Sequence, residues 1–192
     1  WIANGFIPEQ EERSLETIGK HIFNELVSRS FFLDIEELEY VDAREYFSIT
    51  TCKIHDLMHD IAMSVMGKEC VVAIKEPSQI EWLSDTARHL FLSRKVTESI
   101  FNDSVEKRSP AIQTLLCDSN VYSPLQHLSK YNTLHALKLC LRTESFLLKP
   151  KYLHHLRYLD LSESYIEALP EDISILYNLQ VLDVSNCRSL ER

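Results

Sequence analysis

A leucine pattern that recurs at a nearly fixed interval constrains the fold of this 192-residue chain more than any other feature. The pattern L-x-x-L-x-L begins at Leu134 and Leu156, begins again at Leu179 with Val184 in its last position, and has a weaker copy at Ile112. Successive copies start 22, 22 and 23 residues apart. A repeat of this length supplies one short strand per turn of a solenoid, with the leucines facing a shared core. The pattern therefore predicts a stack of short parallel strands.

The spacing falls in the range of leucine-rich repeats, and other positions fit that repeat. Asn120 and Cys187 occupy the place where the repeat prefers asparagine or cysteine, and Ala87, Leu90 and Leu92 form an irregular first copy. We therefore expect about five repeats over residues 86–192. No polar capping unit follows the last copy, so the solenoid is expected to be C-terminally truncated and the chain to be a fragment of a longer protein.

Residues that lie between the leucines of each copy are predicted to face outward on the concave side of the solenoid. Their functional interpretation is a partner-binding surface, and the plain alternative for any one residue is a solvated strand face. The candidates for partner binding are His135, Lys138, Arg157, Tyr158, Asp160, Gln180 and Asp183.

Charge and glycine content change near residue 68. Residues 1–67 contain 5 basic and 13 acidic residues, a net charge of −8, whereas the remaining 15 and 16 give residues 68–192 a net charge of −1. All three glycines lie in the first part. The sequence thus predicts one domain over residues 1–67, a linker over 68–85 and repeats over 86–192.

The first 67 residues predict helices around a β-hairpin. Apolar residues from Leu15 to Val27 recur at helical spacing behind Ser14, a suitable N-cap. Residues 31–33 and 46–54 are predicted as antiparallel strands with the acidic run 34–42 at a solvated tip, and a helix from Ile54 is expected to stop at Gly67. With a first helix truncated at Trp1, this order resembles the later part of a winged helix. The fold class is therefore α/β (α+β), a partial winged helix followed by a leucine-rich-repeat solenoid.

Residues 55–60 form the densest polar group of the chain, His-Asp-Leu-Met-His-Asp. Two histidines four residues apart suit zinc on one helix, but Asp56 stands where a zinc hydrolase has glutamate. A metal phosphohydrolase would need further helical histidines. A third interpretation is a sensor histidine, His59, that donates a hydrogen bond to a phosphate held by another domain. The remaining alternative is a helix-edge histidine without a ligand.

Several segments resemble the plant nucleotide-binding leucine-rich-repeat immune receptors, in the order in which that family has them. Residues 1–7 (WIANGFI) and 26–32 (LVSRSFF) resemble segments of its winged helix, and Met58, His59 and Asp60 match all three letters of its M-H-D motif. Residues 87–90 resemble the opening of its repeat domain, and residues 169–182 match its L-P-x-x-I-x-x-L-x-x-L-x-x-L register. The coiled-coil class of the family is the most similar.

This resemblance implies a molecular switch rather than an enzyme, with no catalytic residue. In the family, the histidine of the M-H-D motif contacts the β-phosphate of ADP, a role that falls on His59, while Asp60 supports the packing of the same loop and helix. The implied partners are the nucleotide-binding domain of the same receptor and, at the repeats, a pathogen effector or a host protein. No cofactor is expected in this fragment, although the full-length receptor is expected to bind ADP or ATP with magnesium. The implied location is cytoplasmic, with nuclear or peripheral plasma-membrane pools as alternatives. A stand-alone repeat adaptor without nucleotide switching is the alternative function.

Other classes are disfavoured by composition. The net charge of −9 repels phosphate backbones, and no apolar run approaches the roughly 18 residues of a membrane span. No glycine cluster can form a phosphate-binding loop, and no C-x-x-C pair suits a metal. We therefore expect no nucleic acid, no membrane span and no metal site.

Overall fold

The computed structural model describes residues 1–8, 13–41, 46–73, 83–93, 111–118, 132–141 and 150–190. It divides the chain into two units, Trp1–Gly67 and Lys68–Arg192. The first is called the hairpin unit and the second the repeat unit, and each is described by itself.

The hairpin unit begins with a turn that has the hydrogen bonds of a helix C-terminus. The Gly5 N–H donates to the Ile2 carbonyl at 2.9 Å, and the Phe6 N–H donates to the Trp1 carbonyl at 3.1 Å. With Gly5 at φ +72°, this pair of bonds is the Schellman motif that closes helix C-termini. Of the helix expected to be truncated at Trp1, the structure thus shows only the terminal turn.

Helix α1 (Leu15–Ser28) starts where the sequence predicts. The Ser14 hydroxyl accepts a hydrogen bond from the Thr17 N–H at 3.3 Å, so Ser14 is the N-cap. The apolar face of the helix is half-buried, and Ile18 is its one buried side chain. The Phe23 ring lies 5.3 Å from the Phe32 ring and 6.5 Å from the Trp1 ring, between centroids. This aromatic cluster joins the helix to the chain start and to the hairpin.

Strands β1 (Phe32–Val41) and β2 (Tyr46–Ile54) pair antiparallel, as predicted. The acidic run, however, lies mostly within β1 and not at the tip, because Glu36, Glu37 and Glu39 pair with residues of β2. These side chains are exposed, so their charges remain hydrated and cost the strand little. The tip itself, residues 42–45, lies outside the described residues. A register shift follows Leu33, where Asp34 at φ +48° holds the Lys53 ammonium at 2.7 Å.

Helix α2 (Asp56–Met66) begins two residues later than the sequence predicts, because Ile54 ends β2. Gly67 ends it at φ +51°, and its N–H donates to the Met63 carbonyl at 3.0 Å. No side chain of α2 is buried.

The repeat unit contains one parallel six-stranded sheet in sequence order. Its strands are β3 (Cys70–Ala73), β4 (His89–Leu92), β5 (Thr114–Cys117), β6 (Ala136–Lys138), β7 (Tyr158–Asp160) and β8 (Val181–Asp183). Short 3₁₀ turns at Pro150–Tyr152 and Glu171–Ile175 precede β7 and β8. This parallel stack after a winged-helix region confirms the predicted fold class.

The repeating leucines form the core of this unit. Leu90, Leu115, Leu137 and Leu159 occupy equivalent places on neighbouring strands, and each is at most 2% exposed. The irregular copy at residues 87–92 therefore belongs to the same sheet. Strand β3 is an addition, since residues 70–73 lie within the segment predicted as a linker.

Two residues join neighbouring repeats at the position that favours asparagine or cysteine. The Ser164 hydroxyl accepts from the Leu141 N–H at 2.9 Å, and the Cys187 thiol donates to the Leu161 carbonyl at 3.1 Å. The preceding residues, Glu163 and Asn186, adopt φ of +60° and +58°. Asn120, the other predicted occupant, lies outside the described residues. Among the residues that the structure describes, no helix is long and apolar enough to span a membrane.

Candidate functional site

The start of α2 places the His-Asp-Leu-Met-His-Asp segment. His55 is the N-cap, and its Nδ1 accepts from the Leu57 N–H at 3.2 Å while its carbonyl accepts from the His59 N–H at 2.9 Å. The Nδ1 lone pair of His55 is therefore engaged in starting the helix. Of the two histidines, only His59 lies within α2, because His55 precedes it.

His59 and Asp60 project from the first turn of α2 into solvent. Their side chains are 62% and 82% exposed, and His59 Nδ1 lies 3.5 Å from Asp60 Oδ1. Within the described part of the chain, no hydrogen bond joins the imidazole to another residue. The ring is therefore free to donate to a group that comes from outside the hairpin unit. Met58, the first residue of the motif, is half-buried.

An apolar stripe accompanies these residues on α2. Leu57, Ile61 and Val65 recur every four residues and are 58%, 48% and 81% exposed. Residues four apart lie on one helix face, so the three side chains form a continuous strip. Over the ranges that the structure describes, no three His, Cys, Asp or Glu side chains group closely enough to hold a metal ion.

The second candidate surface is the outward face of the repeat sheet. On this face Asp160 is only 3% exposed and accepts four hydrogen bonds. Lys138 Nζ donates at 2.7 Å, Tyr158 OH at 3.2 Å, and Ser162 donates through its N–H at 2.9 Å and its hydroxyl at 2.6 Å. The carboxylate thus links β6 to β7 and to the turn after β7.

The pKa values in this network follow from its geometry. Burial raises the pKa of the Asp160 carboxyl, but hydrogen bonds from Lys138 and Ser162 outweigh burial and hold it below its usual value. Burial, and then the neighbouring Asp160 charge, raise the pKa of the Tyr158 hydroxyl far above its usual value. Asp160 is therefore charged and Tyr158 neutral at physiological pH, and the Asp160 carboxylate is the group that joins β7 to β6 through Lys138.

The other candidates are less engaged with their neighbours. Asp183 Oδ1 accepts from the Ser185 N–H at 2.9 Å, and Gln180 is exposed. His135 and Arg157 are half-buried and lie in register, because the Arg157 N–H donates to the His135 carbonyl at 2.8 Å. His135 Nδ1 is buried and has no hydrogen-bond partner in the described structure. The structure therefore brings His135 together with Arg157, and Lys138 together with Tyr158 and Asp160.

One part of this face was missed by the sequence reasoning. Val72, Phe91 and Leu116 occupy equivalent places on β3, β4 and β5, and Val72 and Phe91 are 47% and 37% exposed. The next positions in this row are Lys138 and Asp160, so the row changes from apolar to charged between β5 and β6. The irregular spacing of the early repeats hid the row, although the run of apolar residues at 71–73 was a usable signal.

Comparison with known proteins finds similarity to disease resistance proteins in both units of the chain. Residues 1–62 match the family described as the disease resistance protein winged helix domain. A candidate disease resistance protein of Arabidopsis thaliana is 31% identical over 204 residues, which cover 99% of this chain and 13% of that protein. Disease resistance RPP13-like protein 4 of the same plant is 26% identical over 202 residues, covering 100% and 22%. Disease resistance protein RGA2 of Solanum bulbocastanum is 39% identical over 67 residues, covering 35% and 6%.

The matched proteins are much longer than this chain. The chain spans 13% to 22% of the length of the Arabidopsis proteins that match nearly all of it. No solved structure matches it significantly.

Proposed function

Because this chain belongs to the family of plant disease resistance proteins, we propose that it is the regulatory and recognition segment of an intracellular plant immune receptor. The hairpin unit would report the nucleotide state of a nucleotide-binding domain elsewhere in the receptor. The repeat unit would keep the receptor inactive and recognise a pathogen effector or a host protein. The proposed location is the cytoplasm.

The exposed imidazole of His59 carries the proposal for nucleotide sensing. It lies on a helix of the unit that matches the family, is 62% exposed, and has a ring nitrogen available for donation. An imidazole N–H, and more strongly an imidazolium, donates a hydrogen bond to a phosphate oxygen. His59 would donate to ADP and would lose that partner when the domains rearrange with ATP and magnesium. The ligand can bias this equilibrium only by binding one arrangement more tightly than the other.

Two neighbouring features support a contact between α2 and another domain. Asp60 Oδ1 lies 3.5 Å from His59 Nδ1, so the carboxylate can hold that side of the ring while Nε2 faces a neighbouring domain. The strip of Leu57, Ile61 and Val65 offers apolar area for a neighbouring domain to cover. Met58 would pack beneath the histidine as the remaining member of the motif.

Replacement of His59 in the full-length receptor tests the switch. His59→Gln should weaken ADP retention and cause defence signalling without a pathogen when the receptor is expressed in leaves. His21→Gln is the matched control, because His21 is an exposed histidine on α1. A silent His59→Gln receptor that retains ADP normally would refute the sensor role. Sequencing the transcript upstream of Trp1 supports the test, since an open frame that reaches G-x-x-x-x-G-K-[ST] would supply the nucleotide-binding domain.

A second function, a repeat adaptor without a nucleotide switch, is favoured by one observation. Among the described residues, the members of the buried hydrophobic cluster all lie between Ala73 and Leu176, so the repeat unit has a hydrophobic core of its own. The adaptor hypothesis predicts that His59→Gln changes nothing and that partner capture depends on the repeat sheet. Comparison of His59→Gln with His21→Gln in the full-length receptor therefore separates the two functions.

A further inference from the structure

The repeat sheet carries a cluster of basic side chains at the amino ends of β6 and β7. His135 immediately precedes β6 and Arg157 immediately precedes β7, and the backbone N–H of Arg157 donates to the His135 carbonyl at 2.8 Å. The His155 ring lies 6.5 Å from the His135 ring, between centroids, at an interplanar angle of 80°. Three basic groups from two neighbouring repeats therefore converge on one place, called here the basic cluster.

The basic cluster has no carboxylate of its own among the described residues. No ion pair or side-chain hydrogen bond to the described residues involves Arg157, and His135 Nδ1 is buried without a partner. The carboxylate of Asp160, which lies on the outward face, already accepts hydrogen bonds from Lys138, Tyr158 and Ser162. A buried polar atom without a partner usually costs stability, and a set of like charges adds repulsion.

The charges of the cluster act on one another. Burial, followed by the charges of Arg157 and His155, lowers the pKa of His135. A negative group placed beside these side chains would offset the charge of Arg157 and could accept hydrogen bonds from its guanidinium. The arrangement is thus complementary to an anion.

We infer that the basic cluster of His135, His155 and Arg157 binds an aspartate or glutamate of a protein partner whose neighbouring apolar side chains cover Val72, Phe91 and Leu116. This inference rests on the proposed recognition function of the repeat sheet and names the chemistry of its partner. Arg157 supplies a guanidinium, which pairs with a carboxylate through two parallel N–H donors. The two imidazoles supply further donors beside it.

The surroundings favour a protein over a nucleic acid. A phosphate backbone needs a track of cations, but Arg88, which precedes β4, lies 3.9 Å from Glu69. The neighbouring outward face carries Asp160 and Asp183, and residues 68–192 have a net charge of −1. The apolar row on β3–β5 instead suits the mixed apolar and charged surface of a protein segment.

Selection from a displayed library of random 12-residue peptides against the complete 192-residue chain tests the inference. Selected peptides should be enriched in aspartate or glutamate next to apolar residues. Arg157→Gln should weaken the best of these by about tenfold or more, the usual effect of losing a hydrogen bond to a charged group. Replacing the acidic residue of the peptide with its amide should cause a similar loss, and combining both changes should add little.

Two controls make the result specific. Arg188→Gln removes the same charge from an exposed arginine after β8 and should leave binding unchanged. Circular dichroism should show that Arg157→Gln is folded, since the side chain has no described partner to lose. His135→Gln should weaken binding less than Arg157→Gln, because it removes no full charge at neutral pH.

The possible outcomes distinguish failure of this inference from failure of the proposed recognition function. Peptides without acidic enrichment that nevertheless lose binding on Phe91→Ala would overturn the inference and leave recognition by the sheet intact. Acidic peptides that bind Arg157→Gln as tightly as the unchanged chain would also overturn it. Peptides unaffected by any change on this face would contradict the recognition function itself. If single-stranded DNA binds as tightly as the selected peptides and Arg157→Gln abolishes that binding, the partner is a nucleic acid and not a protein.

Discussion

Asp160→Asn should destabilise the repeat unit more than any other single change of one carboxylate to its amide among the described residues. Asparagine has almost the same shape as aspartate but no charge, and its NH2 group must face at least one of the donors that now point at the carboxylate. Lys138 Nζ at 2.7 Å and the Ser162 hydroxyl at 2.6 Å would both lose a charged acceptor. The substitution therefore tests whether this carboxylate holds neighbouring repeats together.

The magnitude follows from these contacts. A hydrogen bond to a charged group contributes about 1.5–3 kcal/mol, and breaking a fully buried ion pair costs about 3–5 kcal/mol. Asp160 is 3% exposed, but the Lys138 side chain is 43% exposed, which weakens its share of the pair. We therefore expect the free energy of unfolding to fall by about 2–3 kcal/mol, and the melting temperature by roughly 4–12 °C.

The assay is urea unfolding of the complete chain followed by circular dichroism, with hydrogen exchange to assign the transition to the repeat unit. Asp183→Asn is the matched control, because Asp183 occupies the same place one strand later and accepts from the Ser185 N–H at 2.9 Å. We expect the control to cost less than about 1 kcal/mol. Equal losses for the two variants would refute the argument that the Asp160 network carries this stability.

The contribution of Asp160 to folding stability should decrease as the pH falls. The pKa of Asp160 is lower in the folded chain than its usual value, so the folded state favours the charged form. The stability from this group is therefore complete above the unfolded pKa of about 3.9 and is lost as the pH falls through the folded pKa. The difference between the unchanged chain and Asp160→Asn should be constant near neutral pH and should shrink below about pH 4.

Three further predictions concern the cap and turn residues and one histidine. Ser164→Ala removes the acceptor of the Leu141 N–H and should cost about 1–3 kcal/mol in the same urea assay, and no loss would mean that the amide finds another partner. Gly67→Ala should lower the free energy of unfolding by about 1–2 kcal/mol, because φ at this position is +51°. Gly19→Ala, within α1, should raise it by up to about 1 kcal/mol, since the added Cβ would meet Ile7 at an ordinary 3.7 Å. A stabilising Gly67→Ala together with a destabilising Gly19→Ala would contradict both expectations. The pKa of His135 is lowered in the folded chain, so stability should fall as the pH drops through about 6.5, and His135→Gln should flatten that part of the stability curve.

The sequence predicts those parts of the fold that depend on periodicity or on a local cap. The leucine spacing places the four strands from β5 to β8, because every strand must present its leucine to the same core. Ser14 and Gly67 mark helix ends through the backbone groups that they satisfy or the φ that they adopt. These signals are local, so they survive without knowledge of the rest of the structure.

Other parts depend on contacts that no local pattern encodes. Strand β3 (Cys70–Ala73) has no leucine motif, and it joins the sheet through its pairing with β4. The acidic residues of β1 lie within the strand because both of its faces are exposed there, although charge runs usually indicate loops. The leucine pattern predicts that Asp160 and Arg157 lie between core leucines, but not that the Asp160 carboxylate accepts four hydrogen bonds while the Arg157 side chain has none to the described residues.

The rate at which ADP leaves the full-length receptor tests the central claim most directly. If His59 donates to the nucleotide phosphate, His59→Gln should accelerate release by about 10- to 100-fold, the effect of losing a hydrogen bond to a charged group. The His21→Gln receptor should release ADP at the unchanged rate. An unchanged rate for His59→Gln would contradict the account, and this segment would then be a recognition module without a nucleotide sensor.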